Sequence, residues 1–123
     1  MSTILIADDD PLMIRLLEFN LKRLSCKVIV CREGLGAEQL LKTERPELAI
    51  IDVMLPGKSG LELIEFVRSE PELAQMPLIV VTGHGEHQVH QQLLDAGANR
   101  VFTKPFAPSL LQSAVQELLN NHA

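Results

Sequence analysis

The chain alternates short, continuously apolar runs with longer stretches in which apolar residues return every three or four positions. The runs lie within Thr3 to Ala7, Lys27 to Cys31, Glu47 to Ile51, Leu78 to Val81 and Arg100 to Thr103, some of them flanked by a charged or hydroxyl residue. Segments this short, rich in Ile, Val and Leu and lacking polar alternation, predict strands buried on both faces, as in a parallel sheet. Between them, Pro11 to about Leu24 carries Ile14, Leu17, Leu21 and Leu24 at helical spacing and leaves Arg15, Glu18, Lys22 and Arg23 for solvent. Asp10 before Pro11 marks its start: the carboxylate caps free amides, and proline at the first helical position loses no needed donor.

A second helix is predicted over Gly34 to Glu44 through Leu35, Ala37, Leu40 and Leu41, and Pro46 ends it. Gly60 opens a third through Leu61, Leu63, Ile64 and Val67, and Glu70 to Met76, containing Pro71, reads as its frayed exit. Glu86 to Ala96 is mostly polar, with only Val89, Leu93 and Leu94 as large apolar residues, so this helix, closed by Gly97, is expected to hold the core weakly. Pro108 begins the last helix, with Leu111, Ala114, Val115 and Leu118 on one face and Ala107 as a poor cap. Strand and helix patterns in strict alternation predict a doubly wound α/β domain whose right-handed crossovers place helices on both faces. With no repeat, linker or low-complexity segment, residues 1–123 read as one domain.

Composition narrows the function. A hydrophobic content of 46% supports a core without disulfide or structural metal, and with no Trp or Tyr and only four Phe that core is aliphatic. Stacking on nucleic-acid bases is therefore not an expected activity. Eleven basic against sixteen acidic side chains give a net charge of -5, which argues against a nucleic-acid or anionic-membrane surface. Cys26 and Cys31 lack CxxC spacing and read as reduced thiols. Neither a leader pattern nor an apolar run of bilayer length is visible, so a cytoplasmic location is expected. His84, His87 and His90 recur every third residue, without a carboxylate or Cys at matching spacing, and read as exposed helix positions rather than a metal face. Met13, Met54 and Met76 read as packing residues.

The chemistry gathers at the strand ends. Asp52 closes the apolar run Leu48, Ala49, Ile50, Ile51 and so reaches the edge of a dry sheet, where a lone carboxylate needs cations, donors or a metal. Asp8 and Asp9 follow the first strand, Thr82 the fourth and Lys104 the fifth. In an open parallel sheet, ligands bind outside the carboxyl ends of the strands, so these residues are expected to converge.

The stretches ILIADDDP, IIDVMLPGKSG, IVVTGHG and VFTKPF carry Asp8 and Asp9, Asp52, Thr82, and Lys104 with Pro105, in an order and spacing that resemble the receiver domain of two-component response regulators. The resemblance covers essentially the whole chain and implies a flavodoxin-like five-stranded sheet of order 2-1-3-4-5. It further implies that Asp52 is the phosphoacceptor, fed by a histidine kinase, a phosphotransfer protein or a small phosphodonor. On the same resemblance, Mg²⁺ or Mn²⁺ is held by Asp9, Asp52 and the Met54 backbone carbonyl, with Asp8 acting partly through water. Lys104 and Thr82 then supply positive charge and a hydroxyl to the phosphoryl oxygens. The Lys104–Pro105 bond is expected to be cis, and Met54 and His84 to flank the phosphoryl group, Met54 hindering hydrolytic water.

Phosphorylation would change the face built from the fourth helix, fifth strand and fifth helix, for a downstream protein partner or an effector domain outside this sequence, with oligomerisation as one outcome. One departure is visible. The family position that usually holds a moving aromatic ring, three before the lysine, is Val101, and strand alternation sends Phe102 to the opposite face. The switch is therefore expected to act through the Thr82 to Glu86 loop and the weakly held Glu86 to Ala96 helix. Two alternatives belong to other classes: a constitutive interaction module keeping the receiver fold, and a Mg²⁺-dependent aspartyl-phosphate hydrolase. The hydrolase would need a general acid two residues after Asp52, where Met54 stands.

Overall fold

The computed structural model describes residues 2–83 and 85–121. Its strands are β1 (Thr3–Ala7), β2 (Lys27–Cys31), β3 (Leu48–Asp52), β4 (Leu78–Thr82) and β5 (Arg100–Thr103). The helices are α1 (Pro11–Lys22), α2 (Gly34–Glu44), α3 (Gly60–Ser69), α4 (His87–Ala96) and α5 (Pro108–Asn121). All strand pairings are parallel and the sheet order is β2-β1-β3-β4-β5. This is the doubly wound, flavodoxin-like topology expected from the alternation and the resemblance.

The central strands β3 and β4 are buried at every position, whereas the edge strands β2 and β5 are mostly half-buried. Side-chain alternation divides the core into two layers. Leu5, Ala7, Ala49, Ile51 and Val80 face α2, α3 and α4, packing with Leu63, Ile64 and Val67 of α3. Ile4, Ile6, Ile50, Ile79 and Val81 face α1 and α5, against Leu17, Leu21, Leu111 and Val115. Burying one such aliphatic side chain stabilises the fold by about 1.5–3 kcal/mol.

Several boundaries move for local physical reasons. Leu24 lies outside α1, which ends at Lys22 with Arg23 as its cap, and Ser25 follows at a positive φ of 59°. Arg45, directly before Pro46, turns left-handed at φ 42° and stops α2. Asp52 and Thr82 are themselves strand residues, one step further than the apolar runs suggested.

The 70–76 segment is not a frayed exit. Leu73 and Met76 are buried there, and the Arg68 guanidinium donates to the carbonyls of Ala74 at 2.9 Å and Met76 at 2.7 Å. The same group donates to the Gly97 carbonyl and to Asn99 Oδ1, so the end of α3 is riveted to the α4–β5 connection. Burial pulls the Arg68 pKa below its usual value, and its charge is met by carbonyl dipoles rather than a carboxylate. No helix among the described residues is long and apolar enough to cross a membrane.

Candidate functional site

The order β2-β1-β3 means that winding reverses between β1 and β3, and the crevice at that reversal lies beyond Asp8 and Asp52. The parallel ladder continues past the strands and fixes the residues there. Asp8 N–H donates to the Cys31 carbonyl at 3.0 Å, Val53 N–H to that of Val81 at 3.0 Å, and Lys104 N–H to that of Thr82 at 2.8 Å. The first residue of α3 tightens the frame: a Cβ on Gly60 would sit 2.8 Å from the Asp52 carbonyl oxygen, so a larger residue would displace the strand end. Ser59 caps that helix in a capping box with Glu62, a signal present in the sequence as S-x-x-E.

Within this frame the predicted acids meet. One carboxylate oxygen each of Asp8, Asp9 and Asp52 lies within 4.8 Å of the others. Asp8 and Asp52 are buried and Asp9 is exposed. Asp52 Oδ2 accepts from Lys104 Nζ at 2.8 Å and Oδ1 from the Met54 N–H at 2.9 Å. Asp8 Oδ1 accepts from the Asp10 N–H at 2.9 Å, and its Oδ2 stands 3.9 Å from Lys104 Nζ. Asp10 itself caps α1 through the Leu12 N–H.

Three clustered carboxylates thus face one ammonium. Burial pushes the Asp8 carboxyl up to about 6, the Asp10 N–H working against the rise and the Asp52 charge adding to it. Burial opposes the charge on Lys104 as well, but its hydrogen bond to Asp52 and the charges of Asp8, Asp52 and Asp10 hold its pKa above the usual value. The excess negative charge, with hard oxygen donors gathered at one point, suits a small divalent cation.

Thr82 is fully buried and pairs in register with Thr103, next to Lys104. The Lys104–Pro105 bond is cis. Val101 packs with the α2, α3 and α4 layer, and Phe102 packs in the opposite layer, 5.8 Å between ring centroids from Phe106. Two sequence readings need correction. Met54 does not pack: it is 67% exposed, because the chain leaves the sheet at Asp52 and only its N–H turns back. His90 is not an exposed helix residue; it is half-buried, with Nε2 at 2.8 Å from Thr103 Oγ1. His84 lies outside the described residues.

Residues 4–116 match the family model for the response regulator receiver domain. The chain belongs to the response regulator receiver family. It is 37% identical over 117 residues to the transcriptional regulatory protein GltR of Pseudomonas aeruginosa, covering 95% of this chain and 48% of that protein. It spans about half the length of the curated relatives it matches. A putative response regulator from Chloroflexus aurantiacus superposes with a TM-score of 0.91 at 33% identity, covering 97% of this chain and 98% of that one. The Mn²⁺-bound form of response regulator Rcp1 superposes with a TM-score of 0.81 at 26% identity, covering 96% and 91%. The receiver domain is thus a module of two-component signalling with its acid cluster, lysine and buried threonine at the strand ends.

Proposed function

We propose that this receiver domain is a phosphoacceptor switch, with Asp52 as the nucleophile. The observation that carries the reading is the pairing of Asp52 with Lys104 at 2.8 Å inside a cluster of three carboxylates. Asp52 attacks the phosphorus of a phosphohistidine or a small acyl phosphate; the new P–O bond forms as the bond to the leaving nitrogen or oxygen breaks, and the leaving group departs with the electron pair. Lys104, already at the carboxylate, follows the charge onto a phosphoryl oxygen, and the Thr82 hydroxyl donates to another, so charge is met where it develops. Asp9, Asp52 and the Met54 carbonyl, with Asp8 partly through water, would hold Mg²⁺ or Mn²⁺. When bound, such a cation supplies neutralisation of the carboxylates and of the incoming phosphoryl oxygens.

A protein donor is favoured by the surface beside the site. Leu12, Leu16 and Phe19, at helical spacing on α1, are 75%, 37% and 64% exposed and begin immediately after the acid cluster. An apolar line leading from the reacting group gives a helical histidine kinase or phosphotransfer protein something to bury. The domain acts in the cytoplasm, on this reading, and passes its state to a protein partner or effector domain. It assists its own phosphorylation and dephosphorylation rather than turning over an external metabolite.

The test is incubation with acetyl phosphate and Mg²⁺, followed by intact-mass analysis. One base-labile phosphoryl group is expected on the wild type and none on Asp52→Asn. Absence of labelling from acetyl phosphate and from any kinase would favour the interaction module, and rapid multiple turnover of phosphate esters would favour the hydrolase.

A further inference from the structure

The helix α4 has few means of holding the sheet. Leu93 is its one buried residue, and Val89 and Ala96 touch the same layer while partly exposed. Among the described residues, a polar contact joins its first turn directly to the sheet, between His90 Nε2 and Thr103 Oγ1 at 2.8 Å. Whichever tautomer the ring takes, one partner donates and the other accepts.

Thr103 sits at a junction. Its register partner across the ladder is Thr82, and the next residue along the chain is Lys104. Lys104 binds the Thr82 carbonyl through its N–H and the Asp52 carboxylate through its ammonium. The β4–α4 connection also lies over Thr103, since a Cβ on Gly85 would stand 3.6 Å from its methyl carbon. One residue earlier on the same face, Val101 offers only an aliphatic side chain, without a ring to carry movement.

We propose that His90 is the positioning residue that couples the reacting site to α4, reading the placement of Thr103 through their hydrogen bond. The proposal rests on Asp52 being the phosphoacceptor. When Lys104 and Thr82 turn toward a phosphoryl group on Asp52, Thr103 is carried with them by the backbone on both sides. A hydrogen bond at 2.8 Å weakens steeply with small changes of distance and angle, so displacement of Thr103 releases or re-aims His90. With one buried residue, α4 is held to the core less firmly than the other helices and can follow the change.

Hydrogen exchange on the full chain, with and without Mg²⁺ and beryllofluoride as phosphoryl mimic, tests this on Thr103→Val, Thr103→Ser and His90→Ala. In the resting state, Thr103→Val and His90→Ala are expected to speed α4 exchange about 2- to 10-fold, the value of one neutral hydrogen bond, without changing α3. On adding the mimic, α4 exchange should change in wild type and Thr103→Ser and stay level in Thr103→Val and His90→Ala. Binding of the mimic is followed separately by ¹⁹F NMR. Bound mimic with a wild-type α4 response in both disrupted variants overturns the role of His90 and leaves the phosphoacceptor reading standing. Failure of the wild type to bind the mimic overturns that reading, and the coupling with it.

Discussion

Helices α3 and α4 are each ten residues long and pack on the same layer of the core, yet they are held very differently. α3 begins with a capping box, buries Gly60, Leu63, Ile64 and Val67, and ends with Arg68 in five hydrogen bonds. α4 has no side-chain cap hydrogen bond and buries only Leu93. The anchored helix presses its first residue against the backbone of Asp52, where movement would spoil the phosphoacceptor chemistry proposed there. The loosely held helix follows β4, where movement can report it. Arg68 grips the carbonyl of Gly97 as well, so α4 is fixed at its C-terminal end, while its first turn meets the sheet through His90 and Thr103.

Truncation in the core should separate the two helices most strongly. Ile64→Ala is expected to cost about 2–5 kcal/mol in urea unfolding, and Leu93→Ala less, with exchange changes confined to α4. Equal costs would erase the contrast. Arg68→Met should cost roughly 3 kcal/mol, because four acceptors lose a charged partner, and Arg68→Lys should recover little, since one ammonium cannot span them.

The acid cluster gives a pH signature. Because the folded pKa of Asp8, about 6, lies above its ordinary 3.8, the folded state binds that proton more tightly. The resulting stabilisation is full below about pH 3.8 and lost as pH rises through about 6. In chelator-treated buffer, Asp8→Asn should therefore gain on the wild type between pH 4 and 7, by about 3 kcal/mol at most, and added Mg²⁺ should restore the wild type. A pH-independent difference in unfolding free energy would contradict this account of the cluster. At the helix starts the expected effects are smallest: Ser59→Ala should cost about 1 kcal/mol, the value of the cap bond to Glu62 N–H that it loses.

Much of this was legible in the chain. Strands buried on both faces show as unbroken apolar runs, and a polar residue ending such a run must be satisfied by something, which singled out Asp52. Asp8, Asp9 and Lys104 were found by the same logic, and the structure brings them to that carboxylate. The capping box at Ser59 is equally visible, as S-x-x-E around Gly60. The Arg68 rivet was not legible, because its partners are backbone carbonyls, which residue type does not reveal, and Asn99, thirty-one positions away. The contact of His90 with Thr103 likewise joins two elements at a separation no helical or strand period encodes. Met54 shows the converse limit: an apolar residue just past a strand end need not be covered.

On the proposed function, an event at the anchored carboxylate is read out at the loosely held helix. The most direct measurement is hydrogen exchange on wild-type protein, resolved by segment, before and after acetyl phosphate with Mg²⁺ has labelled Asp52. A clear change is expected across α4 and the connection preceding it, with α3 unaltered. Labelled protein with no change in α4, or with α3 and α4 changing alike, would contradict it.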